Sequence, residues 1–289
     1  MQTSIEKASV LVEALPYIQE FRGETVVVKF GGSVMEDSKA VESILRDVAF
    51  MECIGLRPIV VHGGGKAITQ RLKKLGIRTK FLHGLRVTGE NIVKEVEHVL
   101  NHEVNPMIVN ALAATGCKAR GMHGDDLITA QKKTEIDENG KTIDWGHVGN
   151  AISVDTEPVM AFLSSDIVPV ITPLGRGRDL TLYNINADET ATMIACAMNA
   201  RKLVFLSNVP GLLKSEDNRK DIISTLKTDD VEMLIERGVI GGGMLPKISG
   251  AVAAVRAGVG KTHIIDAGMP HSLLLELFTE EGVGTEIIL

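Results

Sequence analysis

Apolar positions at Ile5, Ala8, Val12, Leu15, Ile18 and Phe21 recur at spacings of three and four, which predicts an amphipathic helix at the start of the chain. Pro16 falls inside it. A proline there removes one helix hydrogen bond and crowds the preceding turn, so the helix is expected to kink or split near Pro16. Because this segment precedes the first strand, residues 1–22 read as an arm that packs on another subunit, with a helix folded back on the chain's own core as the alternative. Beyond it the period switches back and forth. Short β-branched runs at 25–30, 58–61, 167–172, 202–206 and 262–265 read as strands, and stretches at 38–54, 66–75, 89–114, 155–164, 188–199, 228–237 and 246–257 read as helices. That alternation predicts an α/β fold, a mainly parallel sheet between two layers of helices. Pro169 fits a central strand only where pairing begins at that residue. Residues 129–153 break the pattern, with Glu138-Asn139-Gly140-Lys141 reading as a hairpin turn, and predict a β-rich excursion at the mouth of a site.

Composition narrows the partners. The chain has 289 residues, a net charge of −6 and only 3% aromatic residues, which argues against a nucleic-acid surface with its basic face and stacking rings. No apolar run approaches the roughly 18 to 20 residues of a membrane span. Glu6 and Glu13 interrupt the first helix in a way that a signal peptide does not. Cys53, Cys117 and Cys196 are odd in number and far apart, so they form neither a disulfide framework nor a thiolate metal motif, and a reducing cytoplasm is the expected compartment.

Three glycine loops carry the chemistry. Val26-Val27-Val28-Lys29 breaks at Gly31-Gly32-Ser33, Ile59-Val60-Val61-His62 breaks at Gly63-Gly64-Gly65, and Gly241-Gly242-Gly243 precedes Met244-Leu245-Pro246-Lys247. A strand that ends in bare backbone N–H groups beside a cation suits phosphate, so phosphoryl transfer is the first reading. Gly258-Val259-Gly260-Lys261-Thr262 imitates the end of a P-loop, but Val255 stands where its leading glycine belongs and the order is helix to strand; Gly258 reads as a helix C-cap. His98 and His102 share a helix face without a third ligand and read as surface or packing histidines, and no metal site is expected.

Taken in order, Lys29-Phe30-Gly31-Gly32-Ser33, His62-Gly63-Gly64-Gly65, Gly84-Leu85-Arg86-Val87-Thr88, Asn184-Ile185-Asn186-Ala187-Asp188 and Gly243-Met244-Leu245-Pro246-Lys247 resemble the amino acid kinase family, in its acetylglutamate-phosphorylating branch, over nearly the whole chain. The resemblance implies the family's three-layer αβα sandwich. An acceptor lobe would occupy 23–180 and an ATP lobe 181–289. It implies that Arg86 and Asn184 bind the α-carboxylate of N-acetyl-L-glutamate, with Gly64 and Gly65 adding backbone contacts. Lys29, with the Gly32 and Gly64 N–H groups, would stabilise the transferring phosphoryl, Lys247 the leaving side, and Asp188 would hold both lysines while also standing at a helix start where an N-cap is common. Asn208, Val209, Gly211, Leu212 and Gly241 would line the nucleotide site, and magnesium would arrive with ATP. Two positions depart from the family's usual pattern: Asn208 stands where Asp is usual, and Lys66 where Pro is common.

The likeness extends to control. The segment Glu13-Ala14-Leu15-Pro16-Tyr17 with Phe21, and the stretches Leu275-Glu276-Leu277-Phe278 and Gly282-Val283-Gly284-Thr285, resemble the arginine-inhibited members of the branch. In these, N-terminal helices join dimers into a hexamer, a trimer of dimers. This implies L-arginine as feedback inhibitor, with Tyr17, Glu276 and Gly282 at its site, and a PII-type signalling protein as a candidate partner. A solvated helix charge is the alternative role for Glu276. Two other functions compete: a kinase for a related acceptor such as N-acetylaminoadipate, and a non-catalytic sensor of acetylglutamate or arginine, against which the presence of Lys29, Asp188 and Lys247 speaks.

Overall fold

The structure, a computed structural model, describes residues 2–137, 139–214, 221–279 and 282–289, without the side chains of residues 2–8, 10, 11 and 33. Its centre is an eight-stranded sheet in the spatial order Thr225–Lys227, Thr285–Ile288, Lys261–Asp266, Lys202–Ser207, Thr25–Phe30, Arg57–His62, Val168–Ile171 and Ala119–Met122. Every neighbouring pair is parallel except Lys261–Asp266 with Thr285–Ile288. All five strands expected from the sequence are present, but pairing does not begin at Pro169: with Ala119–Met122 it begins at Val168 and includes Pro169 opposite Arg120, and with Arg57–His62 it begins at Val170.

Alternation along each strand builds two cores. Val26, Val28, Phe30, Val60 and Val204 face one side, against Ile44, Leu45 and Val48 of the helix Ser38–Cys53 and Ile108 and Leu112 of the helix Asn105–Ala114. Val27, Ile59, Val61, Leu203 and Phe205 face the other, against Ala191 and Ile194 of the helix Ala187–Ala197 and Ile248 and Ala251 of the helix Met244–Arg256. Burying a branched side chain on either face stabilises by about 1.5–3 kcal/mol, and the even spread over both faces is why the strands read as continuous apolar runs.

The residues 129–153 do form strands. Ile128–Lys132, Val148–Val154, Leu174–Arg176 and Leu182–Ile185 close a small four-stranded barrel beside the sheet. The predicted turn is there, with Gly140 at φ +79° and the Asp137 carboxylate accepting from the Asn139 and Lys141 N–H groups; Glu138 lies outside the described residues. The hairpin Lys80–Leu82 with Leu85–Val87 stands over the sheet's carboxyl end. The segment expected as one helix over 89–114 contains a π-helical turn, Val99–Val104, between two α-helices.

The expected split at Pro16 does not occur. One helix, Gln2–Phe21, runs through it, with Pro16 on the exposed side. Phe21 is buried, and Tyr17 and Phe21 meet Phe278 edge to face at 6.4 and 6.3 Å between ring centres. Farther out, Val12 is 68% exposed and Leu15 49%. The side chains of Ile5 and Ala8, which would extend this stripe, lie outside the description. Among the described residues no helix is long and apolar enough to cross a membrane.

Candidate active site

Parallel pairing brings the carboxyl ends of Thr25–Phe30, Arg57–His62 and Lys202–Ser207 side by side, the end of an open α/β sheet where ligands bind. Here the first two glycine loops touch. A Cβ on Gly31 would come within 3.0 Å of Gly63 Cα and N, so only glycine permits the approach. Gly32 is at φ +59°, and a Cβ on Gly64 would lie 2.6 Å from Leu100 Cδ2.

The strand period places Lys29 on the same face as Val27, under the helix Ala187–Ala197. There its ammonium lies 2.6 Å from Asp188 Oδ1, while Lys247 Nζ donates to Asp188 Oδ2 at 2.7 Å. The three residues, 59 or more apart in sequence, form one nearly buried bridge. Asp188 is not the helix N-cap: Asn186 is, accepting from the Asp188 and Glu189 N–H groups. From the sequence, Asp188 could both cap the helix and hold the lysines; only the second role is present. Asn186 two positions earlier carries the same signal, and its capping frees the Asp188 carboxylate for the lysines. Burial alone would raise the Asp188 carboxyl, but Lys29 and Lys247 hold it below the usual range. Burial lowers the Lys29 ammonium, and Asp188 opposes that shift. Pro246 sits in the first turn of Met244–Arg256, where its missing N–H costs nothing, so Lys247 projects from the positive end of that helix.

Arg86 is the least satisfied cation of the site. It is 6% exposed, and its Nη2 donates to Gly65 O at 2.9 Å and Thr69 Oγ1 at 2.6 Å, while Nη1 is buried without a partner. Its guanidinium carbon lies 4.6 Å over the Phe81 ring, and no carboxylate among the described residues pairs with it. Burial lowers its affinity for the proton without unseating its charge. Asn184 joins through Thr88: Asn184 Nδ2 donates to Thr88 Oγ1 at 3.3 Å, and that hydroxyl donates to Arg86 O. Thr88 entered the sequence reading only as the end of the Gly84–Thr88 motif, without a role, and Phe81 not at all, since neither contact exists until the hairpin folds.

Two cavities reach the bridge, one at Lys247 and the other at Asp188, while Lys29, Arg86 and Asn184 line neither. One of about 490 Å³ is lined by all five residues expected for the nucleotide, Asn208, Val209, Gly211, Leu212 and Gly241, together with Lys247. The other, about 960 Å³, runs from the hairpin at Gly84 and Leu85 past Asp188 and Glu189. They meet at Gly242 and Gly243, which line both. Lys66 pairs with Glu36 on the surface. His98 and His102 are about half exposed and face Glu103 and Glu97; no group of three metal-binding side chains forms among the described residues. Gly258, at φ +106°, turns the chain out just after the helix cap Ala257 and is not part of a phosphate loop.

A third cavity, about 320 Å³, lies away from this cleft and collects Tyr17, Glu276 and Gly282 with Lys202 and His263. Glu276 is not a solvated helix charge. It is 8% exposed and accepts from His263 Nδ1 at 2.6 Å and the Val283 N–H at 2.7 Å; burial would raise its carboxyl, yet His263, Val283 and Lys202 hold it low. The reading missed its burial because Leu273 and Leu277 seal the same face of a helix only seven residues long.

Known proteins agree with this geometry. Residues 24–266 match the amino acid kinase family. An acetylglutamate kinase of Heliobacterium modesticaldum is 45% identical over 294 residues, covering all of both chains. One of Acinetobacter baumannii is 45% identical over 289 residues, covering 98% of this chain and 95% of its own. Among solved structures, the N-acetylglutamate synthase of Neisseria gonorrhoeae complexed with coenzyme A and N-acetyl-glutamate superimposes with a TM-score of 0.84 at 26% identity, over 98% of this chain and 63% of that one. A carbamate kinase of Giardia, TM-score 0.66 at 14% identity over 92% of this chain and 99% of its own, shares the fold.

Proposed function

Because the chain belongs to the amino acid kinase family, we propose that its cleft transfers the γ-phosphoryl of ATP to the side-chain carboxylate of N-acetyl-L-glutamate, giving an acyl phosphate in arginine biosynthesis. The full-length likeness to acetylglutamate kinases supports this activity. The observation that carries the mechanism is the bridge Lys29–Asp188–Lys247 at the junction of two cavities.

An acceptor carboxylate with a reference pKa of about 4.3 is ionised at neutral pH, so no general base is needed. The barrier is repulsion between two anions, which aligned cations and backbone N–H groups relieve. Lys29 and the N–H groups of Gly32 and Gly64 face the transferring phosphoryl, and Lys247 faces the leaving side. Asp188 sets the spacing of the two ammonium groups. Each of its oxygens lies against a lysine ammonium, which fits holding the lysines in place rather than acting as a base. Magnesium arriving with ATP would be held mainly by phosphate oxygens and water and would supply further charge neutralisation. The buried, half-unpaired Arg86 fork fits the acceptor's α-carboxylate, with Asn184, Gly64 and Gly65 beside it. In this reading residues 23–180 serve mainly the acceptor and 181–289 mainly the nucleotide, with Asn184 reaching the acceptor from the second segment, and the two segments share one sheet.

Control is the finer part of the proposal. The exposed Val12 and Leu15 on the projecting arm favour a helix shared between dimers in a hexamer. The cavity at Tyr17, Glu276 and Gly282, with its buried carboxylate, fits the guanidinium of L-arginine as inhibitor. A PII-type signalling protein is the corresponding partner. The free cysteines fit a reducing cytoplasm.

Hydroxylamine trapping of the acyl phosphate tests the activity, with N-acetylglutamate beside N-acetylaminoadipate and glutamate. Acetylglutamate should dominate, and Lys29→Ala and Lys247→Ala should each lower kcat by about a hundredfold or more. Turnover confined to acetylaminoadipate, or unchanged in either lysine variant, would overturn the reading.

A further inference from the structure

His62 ends the strand Arg57–His62 and is fully buried, and it lines neither cavity. Its two ring nitrogens have different partners. Nδ1 lies 3.0 Å from Gly63 O, and Nε2 lies 3.1 Å from Asn105 Nδ2. The Asn105 amide nitrogen also donates to Val170 O at 2.8 Å, which identifies that atom as the nitrogen. An amide N–H can only donate, so Nε2 must accept and the imidazole proton must be on Nδ1, donating to Gly63 O. Asn105 follows the π-helical turn Val99–Val104, and it reaches His62 over Gly121, where a Cβ would fall 2.1 Å from Asn105 Oδ1.

Gly63 O and the Gly64 N–H are the two ends of one planar trans peptide, pointing in opposite directions. Two glycines flank that unit, and without side chains they leave its rotation nearly free. We infer that His62 is a positioning residue: with its proton held on Nδ1 by Asn105, it pins the Gly63 carbonyl and so aims the Gly64 N–H at the transferring group. This rests on the role of Gly64 in the proposed phosphoryl transfer. The hydrogen bond on the carbonyl also polarises the peptide, which makes its N–H a better donor. A second proton on the ring would put Nε2–H against an amide donor. Burial lowers the imidazole to about 4, so the neutral form persists through the physiological range.

Two measurements on the full chain test this. Long-range proton–nitrogen correlation of 15N-labelled protein, with His62 assigned by its loss in His62→Asn, should show an Nδ1–H tautomer that does not titrate between about pH 5.5 and 8. In steady-state kinetics, His62→Leu should lower kcat by about 10- to 100-fold while both KM values move less than about threefold. His62→Asn, whose amide N–H can occupy the place of Nδ1, should recover kcat to within about fivefold of wild type, whereas His62→Gln should not. A histidine that only fills space would be replaced as well by leucine as by asparagine. An Nε2–H tautomer in the wild-type protein overturns the inference, even where a variant fails to fold. So does full turnover in His62→Leu when Lys29→Ala has lost it. Full turnover in Lys29→Ala would instead sink the phosphoryl-transfer reading, and the tautomer then decides the pinned peptide alone.

Discussion

Replacing Asp188 by asparagine keeps the volume of the side chain and removes the charge that holds Lys29 and Lys247 together. At 2.6 and 2.7 Å the two ion pairs each carry a gross attraction of about 6 kcal/mol at an effective dielectric of about 20. Desolvation offsets much of it, and breaking such a buried pair costs about 3–5 kcal/mol net. Asparagine can accept from one ammonium through its oxygen, but it turns an N–H₂ toward the other, so one lysine must leave its place. That loss matches the roughly 3–4 kcal/mol of one oxyanion donor, and kcat should fall about 10²- to 10³-fold. The pH dependence should change as well. Burial already lowers Lys29, and Asp188 is what holds it up. Lys29 acts protonated, so activity is lost as pH rises through its folded pKa, and in Asp188→Asn that alkaline limb should move to lower pH. Hydroxylamine-trapped acyl phosphate, followed across pH at saturating substrates, measures both. A kcat within about threefold of wild type, or an alkaline limb that stays in place, would refute the argument.

Arg86→Ala should raise KM for the acceptor about 10- to 100-fold, the worth of a charge-assisted fork, with kcat moving less. Arg86→Lys should not restore it, because one ammonium cannot replace the bonds to Gly65 O and Thr69 Oγ1 while also reaching a ligand; equal KM in arginine and lysine forms would count against the fork. Gly31→Ala should push the first two glycine loops apart by a few tenths of an ångström, lowering kcat about tenfold with little change in melting temperature. Because Gly31 is extended at φ 172°, no backbone strain enters, and a melting temperature that collapses with activity would show a folding defect instead. Deleting residues 1–22 should leave active dimers that ignore arginine, read by light scattering during an arginine titration of both proteins. A full-length dimer indifferent to millimolar arginine would sink the shared-helix reading.

Sequence alone determined the local structure and the cast of the site. The β-branched runs specified the five central strands because burial on both faces leaves no polar alternation to misread, and the glycine clusters marked where backbone must approach closely, as Gly31 and Gly63 do. Of the barrel, Ile128–Lys132 and Val148–Val154 were legible only as an excursion, and Leu174–Arg176 and Leu182–Ile185 not at all, since three or four residues carry too little pattern and tertiary context outweighs β-propensity. Tertiary structure decided which charges meet. Lys29, Asp188 and Lys247 are joined only because a strand's period-two alternation, a helix start capped by Asn186 and a proline-initiated helix converge on one face of the sheet. It also decided protonation and burial: Glu276 looks like an ordinary helix charge until His263 and Val283 close over it, and His62 looks like part of a loop motif until Asn105, 43 residues away, dictates which nitrogen carries its proton. Such assignments depend on partners and on the local dielectric, and both exist only once the chain has folded.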